Sequence, residues 1–414
     1  MSAVPVERPD TVTEGWRWTT MGEIAEVAGG GTPRTNDAAN FENGDIPWLT
    51  PADLSGYTEK YIAHGARFIT QKGIQSCAAR LLSAGTVLFT SRAPIGYVAI
   101  ARNPIATNQG FKSFVLHDGV LPEYVYWWLK GSKRRAESLA NGTTFLELSG
   151  ANAKKIAIPI APLERQREIV AEIEKQFSRL DEAVANLNRV KVNLKRYKAA
   201  VLKAAMEGRL VEPATSVAWA LERLEAVAEV QLGQQRAPVH AAASEQTAYV
   251  RAANVTWDGL DLSDVKFMGF PNIERYRLRV GDILLSEASG SPNEVGKPAL
   301  WNGEIPNACY QKTLIRIRTD ARLLTPRFVY YFFLHTCLTG QFARLAPGVG
   351  ILHLTAERML AWPTPVPPLA EQHRIVAEVD RRLSIVREVE SEVDANLKRA
   401  QALRQATLAK AFAT

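Results

Sequence analysis

The sequence has few cysteines, no long apolar run and no ligand spacing typical of a metal site. Its three cysteines, Cys77, Cys309 and Cys337, lie far apart and form neither a CxxC pair nor a Cys/His cluster. A disulfide framework and a zinc site are therefore not predicted, and a reducing cytoplasm is the expected location. No apolar run approaches the ~18 residues that cross a bilayer, and the N-terminus lacks an apolar signal region, so no membrane or secretory role is predicted.

Motifs of the common DNA-modifying and nucleotide-hydrolysing enzymes are missing as well. The glycine-rich residues 29–33 run into proline, no glycine-rich stretch leads into Gly-Lys-Ser/Thr, and no Asn/Asp-Pro-Pro-aromatic tetrapeptide occurs. The Asp-x-Lys at residues 264–266 lacks the upstream Pro-Asp of a nuclease centre, and the histidines are isolated. We therefore assign no catalytic, cofactor-binding or metal-binding residue, and we do not expect this chain to be an enzyme.

The composition is that of a folded protein with more than one core. The 414 residues are 46% hydrophobic and 22% charged, which predicts two domains plus connecting elements. Lys and Arg number 50 against 43 Asp and Glu, giving a formal charge of +7. This excess favours a polyanionic partner without requiring one.

The chain contains an internal repeat. Pro-Leu-x-x-Gln-x-x-Ile-Val occurs at residues 162–170 and again at residues 368–376. Weaker matches precede each copy in the same order, pairing residues 24–27 with 227–230, 85–91 with 281–287 and 122–126 with 326–330. Two related units of about 200 residues each are predicted.

Each repeat changes character at its proline cluster. Short β-rich runs between Gly, Pro and Asn turns come before the cluster and predict a mixed α/β domain. After it, proline is absent and Ala, Glu, Lys, Arg and Leu dominate, which predicts long helices. The expected fold is two tandem α/β domains joined by two long packed helices. The expected segments are 1–15 (N-terminal segment), 16–161 (first domain), 162–208 (first helix), 209–218 (linker), 219–366 (second domain) and 367–414 (second helix).

Both helices carry apolar residues at alternating spacings of four and three, interrupted by polar residues such as Lys191, Lys198 and Glu390. This spacing predicts a coiled-coil seam that buries the two helices against each other in a rod of roughly 60 Å. The alternative is that each helix lies separately on its own domain. The predicted seam residues are Ile173, Phe177, Leu180, Val184, Leu187, Leu194 and Val201 in the first helix, and Val379, Leu383, Val386, Val393 and Leu397 in the second.

The doubled proline-to-helix motif, the helix ends at residues 201–210 and 408–412, Gly-Thr-Pro at 31–33 and Asn-Gln-Gly at 108–110 resemble the specificity subunits of type I restriction-modification systems. The resemblance implies two target recognition domains, each contacting one half of a split DNA sequence, held apart by an antiparallel pair of helices. It also implies that each helix docks one methyltransferase subunit and that restriction/translocase subunits join the complex. S-adenosylmethionine, ATP and Mg²⁺ would then belong to the partner subunits, with no cofactor in this chain.

The second repeat departs from the family pattern. It has Ala-Cys-Tyr-Gln at residues 308–311 where the first has Ala-Thr-Asn-Gln at 106–109, and its opening lacks Gly-Thr-Pro. Because the two domains differ, the two half-sites are expected to differ, and the target is not expected to be a palindrome.

Candidate DNA contacts are polar and basic residues on predicted loops, since base edges and phosphates require donors and acceptors that reach a groove. Lys112 and Lys312, which each follow a glutamine, are predicted to occupy equivalent places. The alternative for every candidate is an ordinary solvated turn residue. The candidates are Arg34, Thr35, Ser91, Arg92, Asn108, Gln109 and Lys112 in the first domain, and Arg251, Asn254, Ser286, Ser289, Ser291, Tyr310, Gln311 and Lys312 in the second.

Three other functions compete with a type I DNA-reading adaptor. One is a coiled-coil scaffold that joins two protein-binding domains without nucleic acid, and one is an enzyme with an unrecognised site. A third is the specificity adaptor of another phage-defence methyltransferase assembly. Duplex binding that weakens steeply with salt distinguishes the adaptors from the scaffold.

Overall fold

A computed structural model describes residues 15–142, 146–212, 218–291, 294–345 and 352–413. Most of the expected N-terminal segment (1–14) and part of the expected linker (213–217) lie outside these residues. The chain forms two compact units. Unit 1 consists of the described parts of Met1–Leu187 and Ala395–Thr414, and unit 2 of the described part of Asn188–Asp394.

Within its described residues, unit 1 is built on three small sheets. Their strand orders are β2-β9-β6-β7-β4, β5-β3-β8 and the pair β1-β10. Every residue of β6 is buried, because this strand has a neighbour on each side within the largest sheet. The strands are β1 (Arg17–Thr20), β2 (Ala25–Gly29), β3 (Ile46–Leu49), β4 (Tyr61–Ile62), β5 (Arg67–Ile69), β6 (Val87–Ser91), β7 (Ile95–Ala101), β8 (Ala106–Thr107), β9 (Lys112–Leu116) and β10 (Ala157–Ile160).

The helices of unit 1 cover the sheets. The aromatic helix α3 begins with proline at its first turn, where a missing N–H is tolerated. Its Trp128 lies in the main core, and Trp127 packs edge-on against Phe177 at 4.9 Å between ring centroids. The helices are α1 (Met21–Ile24), α2 (Gln71–Gln75), α3 (Pro122–Gly131), α4 (Lys133–Ser138), α5 (Gly150–Lys154) and the start of α6 (Leu163–Met206).

Unit 2 contains thirteen strands among its described residues, and its helices include the start of the second long helix, α13. The strands are β11 (Ala220–Arg223), β12 (Ala228–Leu232), β13 (Thr247–Val250), β14 (Val255–Thr256), β15 (Gly259–Leu260), β16 (Lys266–Met268), β17 (Ile283–Ser286), β18 (Ala288–Ser289), β19 (Pro298–Leu300), β20 (Cys309–Tyr310), β21 (Leu314–Thr319), β22 (Leu352–His353) and β23 (Pro363–Val366). The helices are α7 (Leu224–Val227), α8 (Pro238–Ala241), α9 (Ile273–Tyr276), α10 (Pro326–Leu338), α11 (Gln341–Leu345), α12 (Ala356–Leu360) and α13 (Leu369–Ala411).

The two units share one topology. The strand order β12-β21-β17-β19 in unit 2 repeats β2-β9-β6-β7 in unit 1, and β16-β13-β20 repeats β5-β3-β8. In both three-stranded sheets the central strand pairs parallel to one neighbour and antiparallel to the other. The pair β11-β23 likewise repeats β1-β10. The predicted pair of tandem mixed α/β domains is confirmed.

The long helices α6 and α13 pack antiparallel. In unit 1, Thr407 near the end of α13 bonds Gln176 near the start of α6 at 3.3 Å, and Arg404 pairs with Asp181. In unit 2, Lys191 of α6 pairs with Asp394 of α13 at 2.7 Å. Since higher α6 numbers meet lower α13 numbers, the helices run in opposite directions, as the coiled-coil prediction requires.

The exposure pattern of α6 follows the predicted seam. Between residues 181 and 200, the side chains that are not exposed are Val184, Leu187, Lys191, Leu194 and Lys198. The remaining seam residues are buried or partly buried: Ile173, Phe177, Leu180, Val201, Val379, Leu383, Val386, Val393 and Leu397. Each helix also packs on domain residues within its unit, so the structure combines helix pairing with the alternative of helix-on-domain packing.

The three cysteines differ in accessibility, and this gives a prediction. Burial raises the pKa of Cys309 and of Cys337 to about 12, whereas Cys77 is partly exposed. At pH 8 only about one in 10,000 of a thiol with that pKa is the reactive thiolate. A chromogenic disulfide reagent should therefore titrate one thiol quickly in the native protein and three after denaturation. Rapid reaction of two or three native thiols would contradict this placement.

Candidate nucleic-acid interface

Three loops meet in unit 1, at residues 30–36, 91–94 and 108–111. The Gly31 N–H donates to the Thr107 carbonyl at 3.0 Å, and the Ser91 N–H donates to the Gly110 carbonyl at 2.7 Å. These main-chain bonds bring the predicted Arg34, Ser91–Arg92 and Asn108–Gln109 segments into one cluster, which we call loop cluster 1.

Loop cluster 1 requires a glycine at position 30. A Cβ placed there would lie 2.1 Å from the Asn108 carbonyl oxygen and 2.2 Å from that of Thr107, closer than any real contact. The Asn108 side chain shapes the adjoining turn by accepting the Gly110 N–H at 2.9 Å. Asn108 thus has a structural role in addition to its partly exposed position.

The side chains of loop cluster 1 differ in availability. Arg34, Thr35 and Gln109 are exposed, with the Gln109 amide oxygen bonded by the Thr32 hydroxyl. Arg92 is partly exposed and pairs with a carboxylate, that of Glu147, at 3.3 Å.

Lys112 is partly buried. Its ammonium approaches the main-chain carbonyls of Phe111 at 3.3 Å and Gln109 at 3.5 Å. Burial lowers the pKa of Lys112, because the charged ammonium loses hydration there. A nearby phosphate would favour the charged form.

Unit 2 forms a matching set of loops around Thr313, which we call loop cluster 2. The Ala252 N–H donates to the Thr313 hydroxyl at 3.1 Å, and the Glu287 N–H donates to the Thr313 carbonyl at 2.9 Å. The Lys312 N–H donates to the Gln234 carbonyl at 3.0 Å. The predicted residues Arg251, Ser286, Gln311 and Lys312 therefore lie on segments that come together.

The match between the clusters shifts two expected equivalences, the alignment of residues 308–311 with 106–109 by one residue and that of Lys312 with Lys112 by three. The Asn108 N–H donates to the Leu49 carbonyl at 2.8 Å, and the Gln311 N–H makes the same bond to Val250 at 2.9 Å. Asn108 therefore corresponds to Gln311, and Lys312, one residue later, corresponds to Gln109. The prediction that Lys112 and Lys312 are equivalent is wrong, because sequence spacing counted from a glutamine does not fix the strand register.

Four candidate contact residues are buried, so their side chains are not available to DNA in this conformation. Asn254 is 2% exposed and caps a turn, accepting the Arg251 N–H at 3.0 Å and donating to two carbonyls. Ser91 and Ser286 are covered within β6 and β17, and Tyr310 is fully buried, which raises its pKa. Polarity alone did not distinguish these side chains from exposed loop residues.

Two serines and one arginine of unit 2 lie in partly buried positions. Ser289, on β18, accepts the Ser291 N–H at 3.0 Å, which orders the turn between them. Arg251 pairs with Asp264 at 2.5 Å, and Lys266 pairs with the same carboxylate at 2.6 Å. The Asp-x-Lys of the sequence is therefore part of an ion-pair cluster.

Three residues of the clusters were missed from the sequence: Thr32, Gln234 and Thr313. The signal that could have located these segments is the position of the glycines. Gly233 occupies in unit 2 the place of Gly30 in unit 1, and a Cβ on it would lie 2.4 Å from the Gln311 main chain. The second repeat lacks Gly-Thr-Pro but keeps this glycine.

Within the described parts of the chain, no group of three or more His, Cys, Asp or Glu side chains is placed to hold a metal ion. No helix in those same parts combines the length and apolar character needed to cross a membrane. The chemistry available in the loop clusters is hydrogen bonding by amides, hydroxyls and main-chain groups together with basic charge. Such groups suit contacts to base edges and phosphates.

Comparison with known proteins identifies relatives of both repeats. A family model described as the type I restriction modification DNA specificity domain matches residues 13–192 and 218–395. The MjaIX specificity subunit of a type I restriction enzyme from Methanocaldococcus jannaschii is 45% identical over 161 residues, 38% of this chain and 37% of that protein. The EcoKI specificity subunit from Escherichia coli K12 is 26% identical over 290 residues, 68% of this chain and 62% of that protein. The chain thus matches less than two thirds of the length of either relative.

Solved structures show the same fold. A chain from a structure concerned with complex assembly and conformational transition of the type I R-M system has a TM-score of 0.76 at 19% identity, over 98% of this chain and 99% of that chain. The HsdS subunit from Thermoanaerobacter tengcongensis has a TM-score of 0.60 at 20% identity, over 98% of each chain.

Proposed function

The chain belongs to the family of type I restriction-modification specificity subunits, and on that premise we propose that it reads a split, asymmetric DNA site, one half with each recognition domain. We place the first recognition domain at residues 16–161 and the second at 219–366. The helices of residues 162–208 and 367–414, which contain α6 and α13, then serve as spacer helices.

The observation that carries this proposal is the pair of matching loop clusters with different side chains. Loop cluster 1 presents Arg34, Thr35 and Gln109, whereas loop cluster 2 presents Lys312 and the half-buried Gln311. Amides and guanidinium groups can pair with base edges, and lysine with guanine or phosphate. Since the same scaffold offers different groups in each unit, the two half-sites should differ in sequence.

The partner chains would supply the chemistry. We propose that the spacer helices set the distance between half-sites and that each docks one methyltransferase (M) subunit, with restriction/translocase (R) subunits joining the complex. The repeat of the proline-to-helix junction supports two equivalent docking surfaces. In this arrangement S-adenosylmethionine, ATP and Mg²⁺ are held by the partners, and the chain itself acts as a non-catalytic adaptor.

Genome-wide mapping of methyladenine tests the proposal. The chain is expressed with its methyltransferase partner in a host that otherwise lacks the modification, as wild type, Arg34→Ala and Lys312→Ala. We expect one split, asymmetric motif in the wild type. Arg34→Ala should weaken discrimination in one half only and Lys312→Ala in the other half only, by about 5- to 150-fold for a lost base contact worth ~1–3 kcal/mol.

The matched control is Lys155→Ala, which removes an exposed charge from the first recognition domain, outside both loop clusters. It should leave the motif unchanged. An unmethylated genome in cells where the complex assembles would reject DNA reading and favour the protein scaffold. Variants that weaken both halves equally would reject the assignment of one half to each domain.

A further inference from the structure

The glutamine of the repeated motif is buried at the junction between recognition domain 1 and its helix. Gln166, on the first turn of α6, has no exposed surface. Its Oε1 accepts the Leu121 N–H at 2.9 Å, and its Nε2 donates to the carbonyls of Ala161 at 2.9 Å and Gly119 at 3.2 Å. One side chain thus joins the helix start to the segment that leads into α3.

Gln372 makes the same three bonds in unit 2 and is equally buried. Its Oε1 accepts the Thr325 N–H at 2.8 Å, and its Nε2 donates to the carbonyls of Leu323 and Pro367, each at 2.8 Å. Thr325 precedes α10 as Leu121 precedes α3. Because these bonds all reach main-chain atoms, one glutamine fits two domains whose side chains differ.

A second contact lies eight residues further along each helix. Glu174 of α6 accepts hydrogen bonds from Lys60 and from the Trp127 indole N–H. Asp380 of α13 accepts from Arg327 and from the Tyr331 hydroxyl. Trp127 and Tyr331 occupy corresponding places on α3 and α10, so this contact is also repeated.

Two contact points fix the direction of the helix relative to its domain, whereas a single contact point would let the helix rotate about it. Eight helical residues span about 12 Å, so each domain holds its helix at two points separated by that length. The glutamine contact is the more rigid of the two, because its amide is fully buried and its three repeated bonds all reach main-chain atoms, which cannot rotate away. The carboxylate contact is partly exposed and correspondingly easier to adjust.

We propose that Gln166 and Gln372 are positioning residues that fix the angle between each recognition domain and its spacer helix, and so determine which distance between half-sites the protein accepts. This inference rests on the proposed function. One added base pair moves a half-site by about 3.4 Å and turns it by about 35° around the duplex. A domain whose angle is loosened can follow such a change, whereas a rigidly held domain cannot.

The test uses the complex with its methyltransferase partner and duplexes that carry both half-sites at the wild-type spacing, one base pair shorter and one longer. Gln166→Met and Gln372→Met keep the side-chain length and remove the hydrogen bonds. We expect either substitution to lower the preference for the wild-type spacing at least tenfold. Base preference within each half-site should remain, because neither glutamine lies in a loop cluster.

Gln176→Met is the matched control. Gln176 is on the same helix, but its amide contacts Glu172 of α6 and Thr407 of α13 rather than the recognition domain. This variant should keep the wild-type spacing preference. If the motif glutamines had only a structural role, their substitution would lower methylation by the same factor at all three spacings. That result would overturn the inference.

Glu174→Gln and Asp380→Asn provide a second test if the methionine variants do not assemble. They change the exposed contact of the same junction and should lower the spacing preference two- to fivefold. A preference unchanged within experimental error in both would also overturn the inference. If instead the wild-type complex methylates no split site, the proposed function itself fails, and the inference fails with it.

Discussion

Replacement of Gly30 by alanine is expected to abolish site-specific DNA binding by the first recognition domain. The added Cβ would meet the Asn108 and Thr107 carbonyl oxygens at little more than 2 Å, and both are main-chain atoms that cannot rotate away. The 108–111 loop must therefore move, and Gln109 moves with it. We expect the affinity of the assembled complex for its site to fall at least about 100-fold, which corresponds to about 2.8 kcal/mol. Fluorescence anisotropy with cognate and scrambled duplexes measures it.

The neighbouring residue supplies the control for this experiment. A Cβ on Gly29 meets nothing within 4 Å, so Gly29→Ala should bind DNA as the wild type does. In the second domain, Gly233→Ala should behave like Gly30→Ala, because a Cβ there would lie 2.4 Å from the Gln311 main chain. If Gly30→Ala and Gly29→Ala bind alike, the close approach of the loops is not required for DNA binding.

Replacement of Phe412 by alanine is expected to cause a large loss of stability in unit 1. Phe412 is 5% exposed, and its ring packs edge-on against Tyr124 at 5.0 Å and Trp128 at 5.2 Å. Truncation of a buried phenylalanine costs about 3–5 kcal/mol, because apolar contact is lost and a cavity remains. We expect the free energy of unfolding of unit 1 to fall by about 3 kcal/mol, measured by urea denaturation followed through tryptophan fluorescence.

Leu403→Ala is the control on the same helix. Leu403 is 53% exposed, and exposed substitutions typically change stability by less than about 0.5 kcal/mol. A second unfolding transition from unit 2 should stay in place in both variants, because Phe412 belongs to the core of unit 1. Equal effects of the two substitutions would show that the aromatic contact does not hold the end of α13.

The long helices α6 and α13 were the part of the fold that could be predicted most fully from the sequence. Their spacing of four and three reports directly on burial, because a helix turns by a fixed angle per residue. For this reason Val184, Leu187 and Leu194 could be assigned to the covered face, and even the polar breaks Lys191 and Lys198 fell on it. The doubled motif likewise located both helix starts.

The loop clusters could be predicted only in part from the sequence. Arg34 and Lys312 are exposed as expected, but Asn254 and Tyr310 are buried. Asn254 is held in its turn by main-chain partners seven and ten residues further along the chain, the carbonyls of Asp261 and Asp264. Short loops carry no periodicity that could reveal such partners. The strand register could not be predicted from the sequence for the same reason. Lys112 and Lys312 were therefore wrongly matched.

The division of the chain into units has a consequence for its synthesis. Unit 2 is one continuous stretch, Asn188–Asp394, whereas unit 1 is completed by residues from Ala395 onward. A ribosome adding ~5–20 residues per second needs about 10–40 s to pass from the end of the first part of unit 1 to its second part. During that interval Tyr124 and Trp128 lack their Phe412 partner. The unit whose synthesis starts first is therefore the last to be completed, and part of its aromatic core stays uncovered until the end of α13 has been made.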